Sequence, residues 1–184
     1  MRLSFRAAVL LLAILACGIG AAQEATPAPD DVSGNGLFGI QGVHYVVVLL
    51  GLVLLTICVL VHYESLRILS RLLLRLRRVP RARIVLLIVG LIIVHQAEVW
   101  IWAWGYFGAA RIPEVGELVG GTPGLLSYVY FSVVTYTTLG YGDIVPVGPI
   151  RFLPATEAIM GMVLVGWSAA FTFLEMQRFW KDQE

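Results

Sequence analysis

The stretch Thr137-Thr138-Leu139-Gly140-Tyr141-Gly142-Asp143 decides the fold of this chain. It ends an apolar run, Leu125 to Thr137, that is too short to cross a bilayer. Upstream, Thr122-Pro123 is typical of a helix start, with the hydroxyl capping and the proline in the first turn. The pattern predicts a half-helix that dips into a membrane and returns through a glycine-containing loop. Non-helical backbone at that depth is tolerated only where it is buried in protein or lines water.

Two glycines give the returning loop unusual conformational freedom. Gly140 and Gly142 can take backbone conformations that are closed to other residues. With Thr138 and Asp143, the segment resembles the potassium-channel pore family, whose selectivity filter reads Thr-x-Gly-Tyr-Gly-Asp. In such a filter, successive carbonyl groups point at one axis and replace the hydration shell of potassium.

The resemblance assigns roles to the residues of the motif. It implies carbonyl rings that bind ions, a Thr138 hydroxyl that adds the innermost ring, and a Tyr141 ring that braces the filter from behind. Leu139 stands where the family more often has Val or Ile. Since the family closes its filter with four chains, a homotetramer is implied. The ion-binding residues implied are Thr138, Leu139, Gly140, Tyr141 and Gly142.

Two further residues are expected to bear on the support of the filter. Some family members carry a Glu within the pore helix, four residues before the filter Thr. Val134 occupies that position here. We therefore expect that the brace which such a Glu would give to Asp143 is missing.

Composition places the chain in a membrane. It has 59% apolar and 14% charged residues, with a mean hydropathy of +0.85, which is far from a soluble balance. Three apolar segments are long enough to span: 45–61, 84–104 and 152–174. The fold class predicted is an all-α integral membrane protein with three transmembrane helices, a re-entrant pore helix and a filter loop. A net charge of +1 argues against a nucleic-acid partner.

The basic residues predict the orientation of these segments. Residues 63–83 carry seven of the thirteen basic side chains, so this loop is expected to be cytoplasmic and to bind anionic lipid. Trp100, Trp102 and Trp104 are expected to form an outer aromatic belt. The third helix then returns inward. The basic residues are Arg67, Arg71, Arg75, Arg77, Arg78, Arg81 and Arg83.

The resulting organisation has six parts. Residues 1–22 resemble a signal peptide, with cleavage ahead of Cys17 or an uncleaved anchor as alternatives. Cleavage would leave the N-terminus outside the cytoplasm of a multi-pass protein of the plasma membrane. The remaining parts are a flexible extracytoplasmic segment (23–43), an additional transmembrane helix (44–62), the basic cytoplasmic loop (63–83), the pore domain (84–174) and a short cytoplasmic tail (175–184).

Ionisable residues inside apolar helices are candidates for pH sensing. His95 and Glu98 share a face of the second membrane helix, and Glu157 lies in the third. The alternative is that they hold the pore helix through buried hydrogen bonds.

The third membrane helix contains two candidate hinges. Gly161 and Gly166 lie near the position of the family's hinge glycine, although glycines also permit close helix packing. Helical spacing then predicts a cavity lined by Met162, Val165, Ala169 and Phe173.

The function predicted is passive, potassium-selective conduction through a homotetramer. Potassium is the transported ion and no cofactor is expected. Since no nucleophile–base pair or metal-ligand set appears, enzymatic activity is not expected. The alternative is a non-conducting, pore-like subunit or scaffold that interacts with other membrane proteins.

Overall fold

A computed structural model describes residues 42–75 and 80–181. The predictions for residues 1–22 and for all but the last two residues of 23–43 lie outside this part of the chain, and Gly42 and Val43 are helical. The described residues include four α-helices, a two-stranded sheet and a short 3-10 turn. In chain order they are α1 (Gly42–Arg75), α2 (Pro80–Ala109), β1 (Glu117–Val119), α3 (Leu125–Tyr136), β2 (Val145–Val147), a 3-10 turn (Pro149–Arg151) and α4 (Phe152–Lys181).

Three of the described helices are long and apolar enough to cross a membrane. These candidate spans are Gly42–Arg75, Ala82–Ala109 and Pro149–Arg178. Helix α3 is apolar but has only 12 residues, which is shorter than a span requires. The prediction of three membrane helices and one short helix between the second and third is therefore confirmed.

The basic segment predicted as residues 63–83 lies where two helices meet. Helix α1 continues to Arg75, and α2 begins at Pro80, so most of residues 63–83 are helical. Leu66, Leu69 and Leu73 repeat at helical spacing and pack against Leu87 and Leu91 of α2. This apolar contact explains why the helix continues beyond the predicted span.

The tail predicted for residues 175–184 is helical as far as Lys181. Glu175 lies 3.1 Å from the Nη2 of Arg83, and both side chains are almost fully buried. Glu175 also pairs with Arg178 at 2.8 Å. Since a buried carboxylate needs a partner, this pairing holds the end of α4 beside the start of α2.

The aromatic belt predicted for α2 is wrong at one position. Trp102 is fully buried, whereas Trp100 and Trp104 are 38% and 55% exposed. Residues two apart lie on different sides of a helix, and residues four apart share one. Trp102 therefore belongs to the apolar core, where it lies beside Tyr106.

Helix α3 starts later than its sequence predicts. Gly124, with φ of 136°, precedes the first helical residue, and no side chain caps the helix. The predicted Thr122 cap is therefore wrong. Thr122 instead contacts Ser127, whose hydroxyl donates to the Thr122 carbonyl.

A short antiparallel sheet fixes the two ends of the segment between α2 and α4. Strand β1 pairs with β2 in the register Glu117 to Val147 and Val119 to Val145. The backbone N–H of Ile150 also donates to the carbonyl of Val115 at 2.8 Å. The loop from Thr138 to Asp143 is thereby held between α3 and a strand. The sequence pattern does not predict this sheet.

Candidate functional site

The loop Thr138–Asp143, called the 138–143 loop below, has an alternating backbone. Thr138, Gly140 and Gly142 have φ of 58°, 59° and 78°. Leu139 and Tyr141 between them do not share this left-handed conformation. Left- and right-handed residues turn the peptide plane in opposite senses, so their alternation lets successive carbonyls face one side. Left-handed geometry costs a residue with a Cβ about 1–2 kcal/mol, so Thr138 has to be held there by its surroundings.

The start of the loop is anchored on the C-terminal turn of α3. The backbone N–H groups of Leu139 and Gly140 donate to the Val134 carbonyl at 2.9 and 3.3 Å. The Thr137 hydroxyl donates to the carbonyl of Val133 at 2.7 Å. Val134 itself is 7% exposed. It therefore supports the loop through its carbonyl oxygen as well as by packing.

The expected gap in the support of Asp143 is filled by another residue. The hydroxyl of Tyr130 donates to Asp143 Oδ2 at 2.7 Å. This hydrogen bond raises the pKa of the Tyr130 phenol, so the group stays protonated and can keep donating. Position 134 is a valine, so the brace from a Glu there is absent, and Tyr130 of α3 gives Asp143 a different partner. The sequence gives no signal for this contact, because the two residues are brought together only by the return of the loop.

The side chains of the loop have little cover within one chain. Leu139 and Tyr141 are 54% and 67% exposed. Contacts within one chain therefore leave most of the Tyr141 side chain uncovered.

Behind the end of α3 lies a buried cluster of five polar side chains, called the His62 cluster below. His95 and Glu98 come from α2, as their spacing predicts, and their Nδ1 and Oε2 atoms are 3.2 Å apart. Glu98 is fully buried. The sequence pattern does not identify the other members, although the imidazole of the first of them lies at the end of an apolar run. These members are His62 of α1, Tyr136 of α3 and Ser168 of α4.

Both oxygens of Glu98 are hydrogen-bonded. His62 Nδ1 lies 2.8 Å from Oε1, and the Tyr136 hydroxyl donates to Oε2 at 2.6 Å. His95 Nδ1 lies 2.8 Å from the Tyr136 oxygen. The cluster therefore joins a carboxylate on α2 to the last residue of α3.

A serine hydroxyl lies between the two imidazoles. Ser168 Oγ lies 3.0 Å from His95 Nε2 and 3.4 Å from His62 Nε2. A hydroxyl has one hydrogen, so it can donate to only one of the two ring nitrogens. Ser168 thereby links α4 to the histidines of α1 and α2.

The two histidines and Glu98 offer ligand atoms within 4.8 Å of one another, which makes a metal centre conceivable. The contact between His62 Nδ1 and Glu98 is 2.8 Å. Two ligands of tetrahedral zinc are about 3.3 Å apart, given zinc–ligand distances of about 2.0–2.1 Å. Hydrogen bonds account for the short contact, so we interpret the group as a hydrogen-bonded cluster.

Glu157 also contributes to the position of α3. This fully buried residue of α4 accepts hydrogen bonds from Ser132 of α3 and Tyr106 of α2. Ser132 also lies 3.0 Å from the Val99 carbonyl. These contacts support the alternative in which the intramembrane carboxylates hold α3 through buried hydrogen bonds.

The two candidate hinge glycines have different surroundings. A Cβ on Gly161 would overlap the backbone carbonyl of Tyr136, whereas one on Gly166 would meet nothing within 4 Å. Close packing therefore accounts for Gly161. The candidate cavity residues are all exposed on α4 of the single chain: Met162, Val165, Ala169 and Phe173.

Comparison with known proteins agrees with this architecture. A sequence profile described as "Ion channel" matches residues 82–178. Over 46 residues the chain is 48% identical to a protein named two-pore potassium channel 1 from Arabidopsis thaliana. This alignment covers 24% of the chain and 13% of that relative. No solved structure matches.

The matched region contains α3, the 138–143 loop and almost all of α2 and α4, and it covers more than half of the chain. The family is one of ion channels, which is not a class of enzymes. The chain therefore belongs to the ion channel family and is a multi-pass membrane protein.

Proposed function

We propose that this protein is a passive, potassium-selective channel in which four copies of the chain close a filter around one axis. The 138–143 loop is the filter, with ion-binding carbonyls from Thr138 to Gly142. The observation that carries the proposal is the alternation of φ at Thr138, Gly140 and Gly142, in a loop whose sequence matches the filter of the potassium-channel pore family. The printed name of the plant relative supports potassium as the ion.

Four copies are proposed because the loop of one chain cannot surround an ion. A ring of carbonyls that replaces a hydration shell has to surround the ion, and one loop supplies one side of each ring. The exposure of Leu139 and Tyr141 is consistent with a neighbouring chain beside them. In such a tetramer the exposed residues Met162, Val165, Ala169 and Phe173 of α4 would face the cavity, and Gly166 would be the candidate hinge.

Potassium flux from liposomes tests conduction. Purified chain reconstituted into potassium-loaded vesicles should release the ion when an ionophore balances the charge, and empty vesicles should not. A correctly inserted tetramer without flux would favour the non-conducting scaffold.

The orientation proposed has the α1–α2 connection in the cytoplasm and the β1–β2 sheet outside. The support is the density of arginine near the connection, following the positive-inside rule. Arg71 and Arg75 are exposed at the end of α1, where they can contact anionic lipid. The C-terminus is then cytoplasmic, and the plasma membrane is the proposed location.

Cysteine labelling checks this orientation. In a chain with Cys17 and Cys58 replaced by Ala, a cysteine at Ser70 should react with a membrane-impermeant maleimide only after the cells are opened. A cysteine at Glu117, which is exposed on β1, should react in intact cells. The reversed pattern would contradict both the charge argument and the direction of the pore.

Conduction is expected to fall in acid through the His62 cluster. Imidazoles titrate closer to neutral pH than other side chains. A proton added to an imidazole would place positive charge beside Tyr136, at the base of the proposed filter, and this charge repels potassium. The other ionisable side chains nearby are Tyr136 itself, Cys58 of α1 and Glu157 of α4.

Flux measured between pH 5.5 and 8 tests this dependence. The parent should conduct less at the acid end. His95→Gln removes one of the two imidazoles of the cluster, so its acid-side decrease should be smaller. An unchanged pH profile in this variant would contradict the proposal.

A further inference from the structure

Helix α1 contributes to the His62 cluster although it lies outside the family match. The matched residues begin at 82, whereas α1 ends at Arg75. Its His62 is fully buried and lies 2.8 Å from the equally buried Glu98. A buried carboxylate is stable only with partners for its charge. His62 therefore helps to determine where the Glu98 carboxylate can lie.

Glu98 in turn determines the position of Tyr136. It accepts the Tyr136 hydroxyl at 2.6 Å, and Tyr136 is the last residue of α3. The Tyr136 backbone also packs against Gly161 of α4. The end of α3 is thus fixed by its side chain on one side and its backbone on the other. The loop amides that bond to the Val134 carbonyl begin three residues later, at Leu139.

We infer that His62 is a positioning residue for the 138–143 loop and that α1 forms one functional unit with the pore segment 82–178. His62 acts through Glu98 and Tyr136. The consequence for conduction rests on the proposed function, but the order of the loop can be measured without ion flux.

Packing alone does not account for a histidine at this position. The buried face of α1 is otherwise almost entirely apolar and includes Leu54, Cys58, Leu66 and Leu69. A leucine in place of His62 would fill the space without the cost of burying a polar group. The two imidazole nitrogens instead lie against Glu98 and Ser168, which is the arrangement of a side chain that orients others.

Two substitutions at one position separate orientation from packing. His62→Leu keeps most of the volume and removes the donor to Glu98. His62→Asn is smaller, but its amide nitrogen can occupy nearly the place of Nδ1 and donate to the same oxygen. If His62 only fills space, Leu is the milder change. If it positions Glu98, Asn is the milder change.

Hydrogen exchange of the loop amides, followed by mass spectrometry on the full chain in detergent, gives the answer. We expect the peptide spanning 137–142 to exchange at least about tenfold faster in His62→Leu, since hydrogen bonds to charged groups are among the stronger ones. His62→Asn should exchange at the parental rate. Tyr136→Phe should match His62→Leu, and the double variant should be little faster than either, because the residues act in one chain of contacts.

Parental exchange in His62→Leu would overturn the inference, and so would equally fast exchange in His62→Leu and His62→Asn. If His62→Leu does not fold, the rate in His62→Asn decides: a parental rate supports the inference and a faster one overturns it. If the variants show the expected exchange rates but the parent chain conducts no potassium, the proposed function is contradicted. The positioning role of His62 is then still supported.

Discussion

Tyr141→Asp should let sodium through a pore that otherwise selects potassium. The Tyr141 ring is 67% exposed in one chain, so in the proposed tetramer it packs chiefly against neighbouring copies. Aspartate removes the ring and adds a charge at each of four places. The outer rings of carbonyls should then lose the spacing that favours potassium. We expect the permeability ratio of potassium to sodium to fall by about tenfold or more, a change that corresponds to only ~1.4 kcal/mol.

Leu139→Val is the matched control for this change. It alters a neighbouring loop residue to one that the potassium-channel pore family uses more often. Selectivity should stay parental, which shows that substitution in the loop is not harmful in itself. Both variants should first be shown to remain tetrameric in detergent. A tetrameric Tyr141→Asp that discriminates between the ions as the parent does would contradict the filter assignment.

Gly161→Ala should strongly destabilise the assembled protein. Its methyl group would overlap the backbone carbonyl of Tyr136, and backbone cannot move aside as a flexible side chain can. Overpacking of this kind typically costs about 1–3 kcal/mol, and a tetramer would bear that cost four times. The shift would also displace the end of α3 and the loop that follows it. We expect a lower melting temperature and loss of flux.

Gly166→Ala provides the comparison on the same helix. Alanine favours a helix over glycine by about 1 kcal/mol at either position, so the gain in propensity is the same for both variants. A Cβ on Gly166 meets nothing within 4 Å in its own chain, and this variant should remain folded. The two melting temperatures can be compared by size-exclusion chromatography after heating. Equal stability of the two variants would contradict the close packing of α4 against Tyr136.

Much of the fold can be predicted from the sequence because the membrane imposes simple rules. Apolar length alone locates three spans, and a short apolar run before a glycine-rich loop predicts α3. What apolar length does not predict is the end of each helix. Helix α1 continues to Arg75 because its leucines beyond the predicted span pack against leucines of α2. Helix α4 likewise continues past Glu175, where the pair with Arg83 makes burial of a charge possible.

In the candidate site, too, some features can be predicted from the sequence and others depend on the tertiary fold. Backbone requirements are visible in the sequence, since glycines at 140 and 142 predict the left-handed positions that the structure has. Contacts between distant segments are not visible. Spacing along one helix pairs His95 with Glu98, but only the tertiary fold brings His62 and Tyr136 to the same carboxylate. The contact between Tyr130 and Asp143 cannot be predicted from the sequence for the same reason.

Potassium selectivity is the central claim, and a reversal potential under bi-ionic conditions measures it directly. Purified parent chain in a planar bilayer, with potassium on one side and an equal concentration of sodium on the other, should give a current that reverses far from zero, with the potassium side negative, because the reversal potential is set by the ratio of the two permeabilities. A reversal near zero, with both ions passing equally, would contradict the assignment of the 138–143 loop as a potassium filter.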